Sequence, residues 1–116
     1  MGRRIILLLL FAGAVVAGCA SDERERATAW QVIRVSPDGL TVTIAYEIGD
    51  PHCEQFERVE KEERASSVAL RVIVRHFLDA GPCGDILRME TASVRLREPL
   101  GGRRLVDAES GQTRRP

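Results

Sequence analysis

The sequence has few aromatic side chains and no excess of charge of either sign. Its 116 residues include one Trp, one Tyr and three Phe. So few rings leave little for a surface that stacks on sugars or bases. The seventeen basic side chains equal the seventeen acidic ones, so the chain lacks the basic stripe that nucleic-acid-binding proteins present to phosphates. We therefore expect no nucleic-acid partner, and a core of Val, Ile and Leu, which favours strands.

Motifs of the common enzyme classes are also missing. Ser66, Ser67 and Ser93 have no nucleophile-elbow context. The glycines of 81–84 and 101–102 are not followed by the Lys and Ser/Thr of a phosphate-binding loop. The carboxylates lie in a charge run, a pattern typical of a solvated face. We expect a protein that is not an enzyme and needs no cofactor.

The N-terminus lacks a hydrophobic run long enough to cross a bilayer. After Arg3 and Arg4, the uncharged stretch 5–18 has fourteen residues, whereas a transmembrane helix needs about 20. A basic start, a short apolar segment and a small-residue end are typical of a cleaved secretion signal. Its removal leaves fifteen basic side chains against seventeen acidic ones.

The last residues of this stretch point to lipidation. Val16-Ala17-Gly18-Cys19 resembles the lipobox of bacterial lipoproteins. The resemblance implies a diacylglyceryl thioether on Cys19, cleavage before that residue, and a membrane partner held through the lipid on the extracytoplasmic face of the cell membrane. The alternatives are an ordinary secretion signal with an incidental Cys, or a marginal membrane helix.

Local patterns divide the chain into four parts. Residues 1–18 are the predicted lipoprotein signal peptide, and 19–28 are the lipidated Cys with a polar tether. A small β domain is predicted at 29–107, because alternating apolar side chains recur through it. Residues 108–116 are polar and predicted to be a flexible tail.

Two segments give strong strand signals. The run 30–35 and the alternating segment 40–48 flank the turn residues Ser36-Pro37-Asp38-Gly39, which predicts a β-hairpin. A further strand is predicted from about Ser67 to Phe77. If the preceding acidic segment pairs with it, Arg71 and Arg75 would face glutamates across the ladder.

Other segments are less regular. Residues 54–64 have helical propensity but a thin apolar stripe, and we favour a charged edge strand over a helix. The stretch 86–97 reads as a long strand whose apolar phase slips, which suggests a bulge near 90–93. A short strand is predicted at 105–106. The predicted fold is mainly β, a small antiparallel sheet or sandwich of five or six strands with one disulfide; the alternative is α+β with a helix near 54–64.

The cysteines divide as one plus two. With Cys19 lipidated, Cys53 and Cys83 remain in an exported chain, where disulfides persist, and we expect them to be bonded. A reactive Cys53 thiol beside His52 is one alternative, although sequence neighbours on a strand point to opposite faces. A metal site formed by His52, Cys53, His76 and Cys83 is another, but the spacing of these residues matches no zinc pattern, and we expect no metal.

Four arginines are candidates for a binding surface. Arg95, Arg97, Arg103 and Arg104 would form a dock for an anionic partner; the alternative is a solubilising face balanced by nearby Glu.

The turns at 36–39 and 99–107, together with the cysteine pair, resemble small secreted proteins of high-GC Gram-positive bacteria, a resemblance that implies no activity. We therefore expect a lipid-anchored envelope protein that presents an interaction surface to another envelope component. A binder of a small ligand or anionic envelope polymer is the alternative, and a thiol- or metal-dependent enzyme is third.

Overall fold

The computed structural model describes residues 23–116, and in this part of the chain it contains strands and no helix. The predicted signal peptide and Cys19 lie outside the described residues. Within 23–116 no helix is long and apolar enough to cross a membrane. The strands are β1 Glu23–Thr28, β2 Trp30–Val35, β3 Thr41–Ile48, β4 Glu54–Glu63, β5 Ser67–Phe77, β6 Arg88–Arg95, β7 Arg104–Asp107 and β8 Thr113–Arg114.

The strands form two sheets. In the five-stranded sheet, β5 pairs with β4 along one edge, while β1 and β7 share its other edge and β8 follows β7. The three-stranded sheet has the order β2-β3-β6. Only the β5–β7 pair is parallel among the described strand pairs. The mainly β prediction is confirmed, although eight strands replace the expected five or six.

The core lies between the two sheets and follows directly from the period-2 pattern. Alternate side chains of β5 are fully buried, and alternate side chains of β3 face them. A strand turns every second side chain to the same face, so each of these strands contributes a continuous apolar row. The rows are Val68, Leu70, Val72 and Val74 on β5, and Val42, Ile44, Tyr46 and Ile48 on β3.

The predicted hairpin is confirmed as β2 and β3, joined by a tight turn. Within this turn the Ser36 hydroxyl donates to Asp38 Oδ1 and accepts the Thr41 N–H, and Asp38 Oδ1 also accepts the Leu40 N–H. Gly39 has φ +74°. A Cβ at Gly39 would meet Pro99 Cβ at 3.1 Å. Glycine is therefore required both by the left-handed backbone and by the neighbouring loop.

Segment 54–64 is a strand, as favoured over the helix. Its apolar Phe56 and Val59 pair with Val74 and Val72 across the ladder. On the opposite face, the predicted charge pairs form: Arg75 Nη2 lies 2.6 Å from Glu57 Oε2, and Arg71 Nη1 lies 3.7 Å from Glu60 Oε1. Cross-strand partners on both faces outweigh the helical propensity of the glutamates.

The two ends of the domain differ from the prediction. Residues 23–28 of the expected tether form strand β1, and residues 113–114 of the expected tail form β8. The polar β1 is held by ion pairs, because Arg58 on β4 binds Glu25 with both terminal nitrogens, at 2.8 and 2.9 Å. An apolar pattern does not reveal a strand that is stabilised in this way.

Strand β6 is shorter than predicted and has no bulge. Its register with β3 is continuous from Arg88 to Arg95. The apolar phase slips because Leu87 and Met89 are 68% and 51% exposed, so they do not belong to the core row that contains Val94 and Leu96. The expected bulge at 90–93 was wrong for that reason.

The predicted disulfide is present between Cys53 and Cys83, whose Cα atoms are 5.9 Å apart. Cys53 is buried immediately before β4, whereas Cys83 lies in the exposed loop between β5 and β6. The bond therefore ties that loop to the end of the five-stranded sheet.

Candidate binding groove between strands β4 and β6

Each sheet leaves one long edge strand beside the other sheet. Among residues 23–116, β4 pairs only with β5 and β6 only with β3. The N–H of Leu96 donates to the carbonyl oxygen of Leu40, which is its register partner on the β3 side. Since hydrogen-bonded pairs alternate along an antiparallel ladder, Thr91 and Ser93 turn their N–H and C=O groups away from β3.

The same argument applies to β4. The backbone N–H of Arg64 donates to Ser67 O at 2.8 Å. Because hydrogen-bonded positions alternate, Val59, Lys61 and Glu63 turn their backbone groups away from β5. Their side chains lie on the inner face of the sheet, because they pair with the buried Val72, Leu70 and Val68. Both edges thus carry backbone groups that are available to a further strand.

A groove runs between these edges. It has a volume of about 530 Å³ and is lined by Phe56, Arg58, Val59, Lys61 and residues 91–95. Past Phe56 it continues into a second open hollow of about 370 Å³ that reaches Tyr46 and Glu90. The Phe56 ring is 5.2 Å from the Tyr46 ring and the residue remains 36% exposed. The groove is therefore lined by apolar side chains that alternate with polar ones, and it is open to solvent.

One end of the groove is closed by a buried carboxylate. The Glu63 side chain is 5% exposed and accepts the Arg97 N–H at 2.8 Å. Arg103 Nη2 lies 3.2 Å from the same carboxylate, and Lys61 Nζ lies 3.3 Å from it and 2.6 Å from Arg95 O. Glu63 thus connects β4 to the segment of the chain that follows β6. These contacts join the two sheets at this end of the groove.

A second carboxylate occupies the other end of β4. Glu54 is 8% exposed, and Arg26 binds both of its oxygens, at 2.8 and 2.6 Å. Glu54 also accepts the Gly49 N–H at 2.8 Å. The hydrogen bond from Arg26 holds the pKa of this carboxyl below its ordinary value. Inward-pointing charges at an edge strand discourage unselective pairing with other strands. In β4 such a charge lies at each end, Glu54 and Glu63, and the edge between them is open.

Cationic side chains line the groove near its Glu63 end, where Lys61 is already paired with the Glu63 carboxylate. Lys61 and Arg95 both line it, and so does Arg58. The hydrogen bonds from Arg58 to Glu25 raise the pKa of its guanidinium above the usual range. A bound segment with an acidic side chain at this end would meet complementary charge.

Glu63 should contribute to the acid sensitivity of the fold. The N–H donors of Arg97 and Glu98, with nearby cations, lower its pKa from 4.5 to about 2. The ionised carboxylate therefore stabilises the folded protein above about pH 4.5, and this contribution is lost as pH falls toward 2. In the Glu63→Gln variant, about one proton fewer is taken up on unfolding across this interval.

Urea unfolding between pH 2 and 6 measures this effect. The matched control is Glu62→Gln, since Glu62 is 61% exposed and pairs only with Arg64 among the ion pairs of the described chain. We expect Glu62→Gln to follow the wild-type pH dependence, while Glu63→Gln is less stable at neutral pH and has a shallower slope. A Glu63→Gln profile parallel to the wild type would contradict the assigned pKa.

The four candidate arginines do not form one open surface. Arg103 is 12% exposed at its side chain, and its guanidinium binds Glu63 and the carbonyl oxygens of Glu98 and Pro99. Arg97 is 79% exposed and lies near Glu63, Arg95 is exposed and lines the groove, and Arg104 is exposed at the start of β7. Arg103 stabilises the loop after β6 and is not available to a partner.

The disulfide bears on the two alternatives considered for the cysteines, a reactive thiol and a metal site. Cys53 and Cys83 are bonded and are no longer thiols. His52 Nε2 contacts Ala80 O at 2.7 Å, whereas His76 Nδ1 lies 3.7 Å from Glu54. Within the described range no three His, Cys, Asp or Glu side chains come together as a metal site.

The groove was not anticipated from the sequence. The alternation in 54–64 predicts a strand. No local sequence pattern predicts that the edge of this strand which faces away from β5 lies opposite the edge of 88–95. The inward Glu63 of this strand carries a signal that the sequence does show, because a carboxylate on the same face as Phe56 and Val59 requires a specific partner.

No protein family matches this chain, and no curated protein or solved structure matches it either.

Proposed function

We propose that the protein is a lipid-anchored binding module of the extracytoplasmic membrane face, attached through Cys19, which captures an extended segment of another envelope protein. The observation that carries the proposal is the pair of strand edges, β4 and β6, that flank an open groove lined in part by apolar side chains. Extended peptides bind such edges through main-chain hydrogen bonds, while alternate side chains enter the groove.

The partner segment follows from this geometry. It adds to the β6 edge, where Thr91 and Ser93 offer N–H and C=O groups, and it turns apolar side chains toward Phe56 and Val59. An acidic residue of the segment lies near Lys61 and Arg95. The hollows of the described surface are open grooves, a shape that suits a polypeptide better than a small ligand enclosed on all sides.

The test removes a single donor from the edge. Ser93→Pro deletes an N–H that faces away from β3, so the β3–β6 ladder keeps its bonds. Ser93→Ala is the matched control and keeps the donor. A photo-crosslinking residue at Thr91 in cells identifies the segment, which is then synthesised as a peptide for binding measurements.

We expect Ser93→Pro to weaken binding of that peptide by at least about tenfold, and Ser93→Ala to leave it nearly unchanged. Peptide binding should also protect the Thr91 and Ser93 amides from hydrogen exchange. Equal crosslinking from Ile33, which is exposed on β2, or binding without protection of these amides, would overturn the proposal.

A further inference from the structure

Five chain positions meet at one end of the sandwich, which we call the N-terminal end. Strand β1 starts there, because Glu23 pairs with Phe77 at the end of β5. Strand β4 starts there as well, since Glu54 pairs with His76. The start of β6 pairs with the end of β3. The β5–β6 loop, residues 78–87, therefore lies where the described chain begins.

This loop is unusually apolar for an exposed segment. Of the six large apolar side chains that are exposed in residues 23–116, three belong to it: Leu78 is 52% exposed, Ile86 is 50% exposed and Leu87 is 68% exposed. Several exposed apolar side chains in one short segment indicate a contact surface more often than a single one does.

The loop is held in place rather than hanging free. Cys83 is bonded to Cys53, Gly84 donates its N–H to Asp50 Oδ2 at 2.7 Å, and Ala80 O contacts the His52 ring at 2.7 Å. These three ties fix its backbone against the 49–53 turn. Its apolar side chains are thus presented outward without the entropy cost of ordering a mobile loop on contact.

The distance to the lipid anchor is short. Cys19 precedes Glu23 by four residues, and an extended chain spans at most about 3.6 Å per residue, or about 14 Å in all. A domain tethered so closely must keep its N-terminal end near the lipid surface. The polar tether expected over residues 19–28 would have allowed much more freedom.

We infer that the β5–β6 loop rests on the membrane and buries Leu78, Ile86 and Leu87 at the boundary between headgroups and acyl chains. This inference rests on the lipid anchor at Cys19 that is part of the proposed function. Asp79 and Asp85 lie in the same exposed loop. Their charges remain among the headgroups and limit the depth, so the loop lies in the interface and does not cross the bilayer.

The experiment uses the lipidated protein in vesicles of phosphatidylethanolamine and phosphatidylglycerol that contain a phosphatidylcholine brominated on its acyl chains. Tryptophan is introduced by Leu87→Trp or, on the other side of the loop, by Leu78→Trp. The matched control is Ile33→Trp, because Ile33 is 48% exposed on β2. Trp30 is 3% exposed and common to all variants, so its emission is subtracted. The acyl mass of each sample is measured first.

We expect brominated lipid to reduce the emission of the loop tryptophans by about twofold or more, while the Ile33→Trp emission hardly changes, because bromine quenches only groups that reach the acyl boundary. Acyl mass with equal quenching in loop and control variants overturns the inference and leaves the anchor intact. A chain without acyl mass overturns the anchor and the orientation together. Concentration-dependent dimerisation that Leu87→Ser abolishes, without loop quenching, assigns the patch to a second copy and overturns the membrane contact.

Discussion

Reduction of the Cys53–Cys83 bond is expected to lower the free energy of unfolding by about 3 to 4 kcal/mol. The two residues are 30 positions apart in the sequence, and a cross-link of that span lowers the conformational entropy of the unfolded chain by an amount equivalent to this stabilisation. For a domain whose total stability is of the order of 5 to 15 kcal/mol, this is a substantial share.

Urea unfolding with and without a reductant measures the loss. Trp30 is buried in the core and is the only tryptophan, so its fluorescence reports on the whole sandwich. The variant with both Cys53→Ala and Cys83→Ala, measured without reductant, separates loss of the cross-link from side reactions of free thiols. A reduced protein within about 1 kcal/mol of the oxidised one would mean that the 54–82 segment is already restrained in the unfolded state.

Cys19→Ala is expected to abolish acylation and to leave the 18-residue signal segment on the chain. If the lipobox is used as proposed, the thiol of Cys19 is the atom that receives the lipid, and no neighbouring side chain replaces it. Each buried methylene contributes about 0.8 kcal/mol, so two or three acyl chains hold the protein stably at the membrane. The effect is therefore expected to be close to all or none.

Intact mass of the protein from the membrane fraction tests this expectation. The wild type should have lost residues 1–18 and gained acyl mass, whereas Cys19→Ala should retain the segment and carry no lipid. Gly18→Ala keeps a small residue before the cleavage point and serves as the matched control, which we expect to be processed normally. Removal of residues 1–18 from both variants, with no acyl mass on the wild type, would indicate an ordinary secretion signal.

Much of the sandwich could be predicted from local alternation. The hairpin of β2 and β3 and the long strand β5 follow from period-2 burial flanked by turn residues, and the strand at Glu54–Glu63 follows from its thin helical stripe. The disulfide follows from counting cysteines in a chain that its N-terminal sequence predicts to be exported. In each case the information lies within a few residues or in composition.

What could not be predicted depends on long-range pairing. Strand β1 looks like a polar tether because its partners, Glu54 for Arg26 and Arg58 for Glu25, lie about thirty positions later in the sequence. Strand β8 exists because β7 offers it an edge. The groove arises where β4 and β6 come to lie opposite each other, and only the order of strands in the two sheets determines that.

The residues around the start of β6 show the converse case, in which a local apolar pattern predicted burial that does not occur. Leu87 and Met89 suggested a core row with a bulge, because an apolar residue is usually buried. Leu87 instead belongs to the loop that faces outward at the N-terminal end, and Met89 is likewise exposed. An apolar residue that breaks the phase of a strand was here a sign of exposure.

The edge of β5 that β1 and β7 share also bears on the order in which the sheet is completed during folding. Residues 72–77 of β5 pair with β1, which precedes β5 in the chain, whereas residues 67–70 pair with β7, which follows β5. Residues 104–107 must therefore join the sheet before the central strand has partners along the full length of this edge. Until then a short apolar edge remains uncovered, and a chain that stopped before Arg104 would keep that edge permanently available for association with other chains.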